Sequence, residues 1–262
     1  MNKLLVIIAS IFLIGCVTRT EFVVGTDGQG NEILKEKSDI DYVKAANDRI
    51  NLAIRYIEMK QMTDAKINLE KAEHYNPGTE NLYLAWGYYY STVGDSLKAE
   101  KVYKIALDEY DSGSVNTNYG IFLCNEKRFK EANEHFMKAV AIPNYPRISF
   151  TYERAATCAF ESGDNAKAGE YFEQAMNYGG NSPSLLYNYA YYSFGNGDVA
   201  RADKLMRTFD MFEKNSSAQA LMLKIRISTA LGQYSSAEIY GRKLLQEYAN
   251  SEEAKQYKSG NY

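Results

Sequence analysis

Small and large apolar residues recur in a fixed order along the chain. Within residues 113–178, two consecutive segments each contain an apolar helical stretch, a break, and a second helical stretch. The second stretch carries a small, a large and a small residue, namely Ala132, Phe136 and Ala139 in one copy and Ala168, Phe172 and Ala175 in the next. Spacings of four and three residues place each trio on one helical face. The pattern therefore predicts repeated pairs of helices.

The first small residue of this trio recurs through most of the chain. It is found at Ala65, Ala99, Ala132, Ala168, Ala202 and Ala237. The separations are 34, 33, 36, 34 and 35 residues, and 34 residues is the period of the tetratricopeptide repeat. Six matches to one period favour this fold over a generic helical bundle. We predict an all-α chain that forms a right-handed tetratricopeptide-repeat superhelix, an α-solenoid of about five to six helix–turn–helix repeats.

Turn residues support the same division into helix pairs. Glycines at positions 94, 163, 197 and 232 lie where a first helix ends, and a left-handed residue is common there. Three of them are followed by aspartate, namely Asp95, Asp164 and Asp198. An aspartate side chain in this position is expected to cap the second helix.

The N-terminal residues resemble a bacterial lipoprotein signal. Lys3 precedes an apolar run from Leu4 to Ile14, which suits a signal peptide and is short for a membrane span. The run ends in Leu-Ile-Gly-Cys at residues 13–16, which resembles a lipobox. We expect residues 1–15 to be the signal peptide and Cys16 to be lipidated, with Val17 favouring the outer membrane. The alternative is an ordinary signal peptide with an incidental cysteine.

The remaining boundaries follow from polarity and repeat spacing. Residues 16–38 are predicted to form the lipidated N-terminus and a flexible tether, because they show no helical or strand period. Residues 39–250 form the solenoid, and the polar residues 251–262 are expected to fray or stay disordered. The sixth repeat departs from the pattern at Lys224, Gly241 and Leu244, which suggests a terminal cap.

Catalytic and metal-binding patterns are missing from the sequence. The two histidines, His74 and His135, are far apart and lack partners at zinc or triad spacing. We therefore expect no enzyme activity, no cofactor and no metal. The net charge of −3, without a basic stripe, argues against a nucleic-acid partner.

Cys124 and Cys158 are separated by one repeat, which places them on the first helices of adjacent units. An oxidising compartment favours a disulfide between them. Two buried thiols that pack as small apolar groups are the alternative.

Aligning the repeats predicts which residues of the first helices face the concave side. They are Ile50, Ile54, Ile57, Leu84, Tyr88, Ile121, Asn125, Phe150, Glu153, Phe160, Tyr187, Tyr191 and Phe194. This set is apolar and aromatic, as in a protein-binding groove. Because it contains no lysine or arginine, a hydrophobic peptide or partner helix is favoured over a charged C-terminus. Alternatively, a shift in register would make many of these residues interhelical packing residues.

One segment resembles a known family. Residues 118–124 read Asn-Tyr-Gly-Ile-Phe-Leu-Cys, and Arg128-Phe129, Glu131-Ala132 and Pro-Asn-Tyr-Pro at 143–146 follow. With Cys158-Ala159 and Gly163-Asp164, these residues resemble the PilW/PilF lipoproteins of type IV pilus biogenesis over roughly residues 47–247. The chain departs from that family at Lys127 and at Arg154-Ala155-Ala156.

The resemblance implies a non-enzymatic outer-membrane lipoprotein that faces the periplasm. Such a protein acts as a pilotin, which localises the pilus secretin and helps it multimerise, or as a pilus stability factor. Its expected partners are the secretin or other pilus machinery, and the membrane through its acyl chains. The competing hypothesis is a general periplasmic scaffold lipoprotein for envelope enzymes or outer-membrane protein assembly.

Overall fold

The computed structural model of the protein describes residues 22–26, 32–36 and 41–260. The described helices are α1 (Tyr42–Glu58), α2 (Met62–Tyr75), α3 (Glu80–Thr92), α4 (Ser96–Tyr110), α5 (Gly113–Asn125), α6 (Phe129–Ala141), α7 (Ile148–Glu161), α8 (Asn165–Asn177), α9 (Pro183–Gly195), α10 (Val199–Phe212), α11 (Ala218–Ala230), α12 (Tyr234–Glu247) and α13 (Glu252–Ser259). They form six antiparallel pairs and one last single helix. Each first helix contacts its own second helix, the second helix of the preceding pair and the neighbouring first helices. The fold is the superhelical solenoid predicted from the period.

Small residues are buried where the two helices of a pair approach each other. The alanines that define the period at 65, 99, 132, 168 and 202 have no exposed surface. Gly87 and Gly120 extend the same rule to the first helices. A Cβ atom on Gly120 would lie 2.7 Å from the ring of Phe136, and one on Gly87 would lie 2.5 Å from the ring of Tyr103. The pattern of small and large residues therefore encodes the contact itself.

The turns inside the pairs have the conformation that the sequence indicated. Gly163 has a φ of 84°, which glycine adopts at little cost, and Lys127 takes the equivalent place in the third pair with a φ of 63°. The predicted caps are confirmed. The side chains of Asp95, Asp164 and Asp198 accept hydrogen bonds from backbone N–H groups at the starts of α4, α8 and α10.

The C-terminal residues are ordered, contrary to the prediction from the sequence. Residues 252–259, expected to fray or stay disordered, form α13, which packs on α11 and α12. Ala254 is fully buried, and Gly241 leaves room for the ring of Tyr257. Lys224 of the sixth pair is also buried rather than part of a polar outer face. The cap of the solenoid is therefore α13, and the sixth pair is an interior repeat.

A hairpin that the sequence pattern did not predict lies near the N-terminus. Strands β1 (Phe22–Thr26) and β2 (Glu32–Glu36) pair antiparallel within the segment that was expected to lack regular structure. The sequence Phe-Val-Val-Gly-Thr is rich in residues that favour strands, which is the signal that was overlooked. The predicted signal peptide and lipidation site, Cys16, lie outside the described residues.

Candidate partner-binding groove

The first helices of the first four pairs line one concave cavity. Helices α1, α3, α5 and α7 are sequential neighbours, so the same face of each helix is presented to one side of the solenoid. The cavity between them has a volume of about 820 Å³. This volume lies in the usual range for ligand sites. We refer to this cavity as the groove.

Aliphatic and aromatic side chains form the apolar surface of the groove. They are Ile54, Leu84, Tyr88, Ile121 and Phe150, one or two from each of the four first helices. All five are partly or fully accessible, and Tyr88 is 40% exposed. Partial burial raises the pKa of Tyr88, and the negative charge of Glu58 raises it further. The phenol is therefore a neutral hydrogen-bond donor at physiological pH.

Asparagine side chains accompany these apolar residues along the groove. Asn47, Asn51, Asn81, Asn118 and Asn125 all line it. Asn118 donates to the carbonyl of Ser114 at 2.8 Å. Within the described residues, the side chains of the other four have no hydrogen-bond partner and are exposed. The groove therefore offers amide donors and acceptors beside an apolar surface.

Charged groups mark the two ends of the groove. Glu58 lies at the α1 end, and Arg147 and Arg154 lie at the α7 end. Both guanidinium groups lie over the ring of Phe150, with their central carbons 4.3 Å and 5.3 Å from its centroid. Arg154 also pairs with the carboxylate of buried Glu153. In the part of the chain that the structure describes, Arg147 has no ion pair.

Comparison with known proteins gives a match over nearly the full length of the chain and another over half of it. PilF of Pseudomonas aeruginosa PAO1, a type IV pilus assembly protein, is 26% identical over 258 residues, which is 97% of both chains. An uncharacterized protein of Haemophilus influenzae Rd is 31% identical over 131 residues, covering 50% of this chain and 73% of that one. No family model matches the chain.

Two similar solved structures are also type IV pilus proteins. The structure of PilF from Pseudomonas aeruginosa has a TM-score of 0.66 at 25% identity, covering 84% of this chain and all of that one. The structure of PilW, described as a widely conserved type IV pilus biogenesis factor, has a TM-score of 0.69 at 26% identity, covering 80% and 97%. The chain belongs to the PilW/PilF-like family of type IV pilus tetratricopeptide-repeat proteins.

In this PilW/PilF-like protein, the structure brings together seven of the thirteen residues expected in the groove. Those that line it are Ile50, Ile54, Leu84, Tyr88, Ile121, Asn125 and Phe150. Glu153 does not line the groove, although it pairs with Arg154, which does. Ile57 and Glu153 are each only 2% exposed. The prediction that these two residues lie at the groove surface was wrong. Their side chains point into the packing between helices, as expected when the helical register is shifted by about one position.

The other four expected residues form a separate aromatic surface farther along the solenoid. The ring centroids of Phe160 and Tyr191 are 6.2 Å apart, and those of Tyr187 and Tyr191 are 6.3 Å apart. Tyr191 is 46% exposed. Phe194, on the same helix, is partly buried. None of the four residues lines the groove.

A polar network separates the groove from the aromatic surface. One carboxylate oxygen of Glu153 accepts hydrogen bonds from Arg154, from the hydroxyl of Ser184 at 2.5 Å and from the amide of Asn188 at 2.9 Å. Because Glu153 is buried, these bonds link α7 firmly to α9. The concave side is therefore divided into two chemically different parts.

A disulfide joins the first helices of the third and fourth pairs. Cys124 at the end of α5 is bonded to Cys158 in α7, and their α-carbons are 5.8 Å apart. This spacing lies within the normal range for disulfides. Asn125 and Arg154, on either side of the bridge, both line the groove. The bridge therefore fixes the distance between two of its walls.

The polar groups of the groove were predicted only in part. Asn125 was expected there, whereas the other four asparagines and both arginines were not. The 34-residue separation of Asn47 and Asn81 was the available signal, since it places both at one repeat position. Arg147 precedes the first turn of α7 and so escaped an alignment based on helical positions.

Of the two histidines, His135 is packed between other side chains, whereas His74 is exposed. The Nδ1 atom of His135 lies 2.8 Å from the side-chain oxygen of Asn116, and the ring packs edge-on against Tyr119. Burial lowers the pKa of His135, which keeps the ring neutral. The described residues contain no cluster of candidate metal ligands and no helix long and apolar enough to cross a membrane.

Proposed function

We propose that the protein is a lipid-anchored, non-enzymatic assembly factor of the type IV pilus machinery. It binds another protein of that machinery through the groove and is held at the periplasmic face of the outer membrane by acyl chains on Cys16. The full-length similarity to PilF carries this proposal, because 97% of both chains is aligned and the relative is a type IV pilus assembly protein.

The groove supports a binding role because of its chemistry. Within the described residues, the groove combines an apolar surface with unpaired amides and one arginine, Arg147, that has no ion pair. Such a surface suits a polypeptide, which offers apolar side chains and backbone hydrogen-bonding groups. The partner that fits the proposal best is the pilus secretin, with the protein acting as its pilotin. Stabilisation of assembled pili is the second role that we propose, and it too is compatible with similarity to a type IV pilus biogenesis factor.

A deletion strain tests the proposal. Outer-membrane fractions are examined for the heat-resistant secretin multimer, and the strain is complemented with the wild type, Cys16→Ala, Tyr88→Ala or Tyr234→Ala. Tyr234 is the matched control, because it is 71% exposed on α12 and does not line the groove. We expect Tyr88→Ala to lose function and Tyr234→Ala to retain it.

The outcomes separate the roles. Loss of the multimer in the deletion strain supports the pilotin role, and failure of Cys16→Ala to restore it shows that the anchor is needed. A normal multimer with missing pili supports the stability role. If both multimer and pili are unaffected, the proposed function is wrong and a general envelope scaffold takes its place.

A further inference from the structure

We infer that the groove binds an extended segment of its partner, about eight residues long, which places an acidic side chain at Arg147. The inference rests on the proposed function, because it concerns the partner of the same groove. It specifies the conformation and length of the segment that binds, and the charge and position of one of its residues.

The length follows from the repeat geometry. The groove crosses four neighbouring first helices, α1, α3, α5 and α7. Axes of packed helices lie about 8–10 Å apart, so three steps cover about 27 Å. An extended chain advances about 3.3 Å per residue, so about eight residues span the groove.

The asparagines favour an extended segment over a helix. A helix satisfies its own backbone groups internally and offers only side chains to the groove. The exposed amides of Asn47, Asn51, Asn81 and Asn125 would then be covered without partners, which costs free energy. An extended chain presents N–H and C=O groups along both edges, and carboxamides can pair with them. Its side chains pack against Tyr88 and Ile121.

The charges fix the nature and position of one partner residue. Arg154 is neutralised by Glu153, whereas Arg147 rests on the ring of Phe150 without an ion pair within the described residues. The Phe150 ring holds the guanidinium group of Arg147 with its donors available, a geometry that suits a carboxylate. Glu58 at the other end repels one. The acidic residue therefore lies at the α7 end of the segment.

This carboxylate belongs to a side chain rather than to a chain terminus. The series of first helices continues past α7 with α9 and α11. A bound chain can therefore pass Arg147 and continue over the surface of Ser184 and Tyr187 rather than ending in the groove.

The test begins with the full chain in its native cell. A photo-reactive phenylalanine analogue replaces Tyr88, and Tyr234 is replaced in the same way as the control. The cross-linked partner peptide is mapped by mass spectrometry. A synthetic peptide of the mapped segment, and a version with its acidic residue changed to the amide, are then the probes. Their dissociation constants are measured by fluorescence anisotropy with the purified full-length wild type, Arg147→Gln, Arg147→Lys and Arg207→Gln. Arg207 is an exposed arginine of α10 outside the groove.

We expect Arg147→Gln to weaken binding by on the order of tenfold, as for loss of a charge-assisted hydrogen bond. Changing the acidic residue to its amide should cost about the same factor, and both changes together should cost little more than either. Arg147→Lys should retain part of the affinity, and Arg207→Gln should bind like the wild type.

Three results with the mapped segment would overturn the inference. They are a mapped segment without an acidic residue, losses from the two changes that multiply independently, and a bound peptide with a helical circular-dichroism spectrum. A functional Tyr88 photoprobe that captures nothing would also overturn it. If the mapped segment is acidic and extended but comes from a protein outside the pilus machinery, the proposed function fails and this inference stands.

Discussion

The disulfide between α5 and α7 is expected to contribute strongly to the stability of the solenoid. Reducing it releases a constraint on the unfolded chain, while the native contacts of both sulfurs remain nearly unchanged. The bridge closes a loop with a sequence separation of 34 residues. For a loop of this length, chain entropy gives a loss of about 3.8 kcal/mol at 25 °C.

This free energy converts into a melting-temperature shift through the unfolding entropy. At about 2.1 cal/mol/K per residue, the solenoid of residues 41–260 should melt about 8 °C lower after reduction. Thermal unfolding of the purified protein, followed by circular dichroism with and without a phosphine reductant, measures the shift. Mass spectrometry after alkylation counts the thiols that the reductant has released.

The double variant Cys124→Ala/Cys158→Ala is the matched control. It should melt lower than the oxidised wild type and should not respond to the reductant. A shift of less than about 2 °C in a wild type whose thiols are fully alkylated would refute the reasoning. It would mean that the cross-link does not constrain the unfolded chain as the entropy model requires.

Three further predictions concern packing, pH and the cap. Gly120→Ala should cost about 1–3 kcal/mol in urea unfolding because its Cβ meets the Phe136 ring, and Phe136→Leu in the same chain should recover part of the loss. Hydrogen bonds to Glu100, the largest from Arg128, lower its pKa from 4.5 to about 2. The contribution of ionised Glu100 to the free energy of unfolding is therefore fully present above pH 4.5 and is lost as the pH falls towards 2. The difference in melting temperature between wild type and Glu100→Gln should shrink over that range. Deleting residues 252–262 should cost about 2 kcal/mol in the same unfolding assay by exposing apolar surface under α13, and unchanged stability would contradict the cap assignment.

The sequence predicted the repeats well because the packing rule is local. A buried alanine at one position and a large residue four positions later determine how two helices meet, as Ala132 and Phe136 illustrate. The same spacing of small and large residues recurs in each repeat, so the period can be recognised without knowledge of any long-range contact.

Other features, such as helix α13, depend on contacts between residues distant in sequence, which a local pattern does not predict. Helix α13 has the sequence Glu-Glu-Ala-Lys-Gln-Tyr-Lys-Ser, which is too polar to predict a packed element. Its apolar contacts with the preceding pair come from Ala254 and Tyr257, and the ring of Tyr257 lies over a glycine 16 residues away in sequence.

The residues that line the groove were predicted only in part, and the reason is geometric. Successive helical residues differ by about 100° in direction, so an error of one position moves a side chain from the surface into the packing. This separates Glu153, which is buried, from Arg154, which lines the groove. Partners that are distant in sequence, such as Ser184 and Asn188, decided which of the two was buried.

The position of the disulfide has a mechanical consequence. In a linear array of repeats, bending and opening are concentrated at the weakest interfaces between neighbours. The cross-link makes the third and fourth pairs one stiff block, and that block carries Phe150 and Arg154. The curvature of the groove can therefore change mainly through movement of the first two pairs relative to this block.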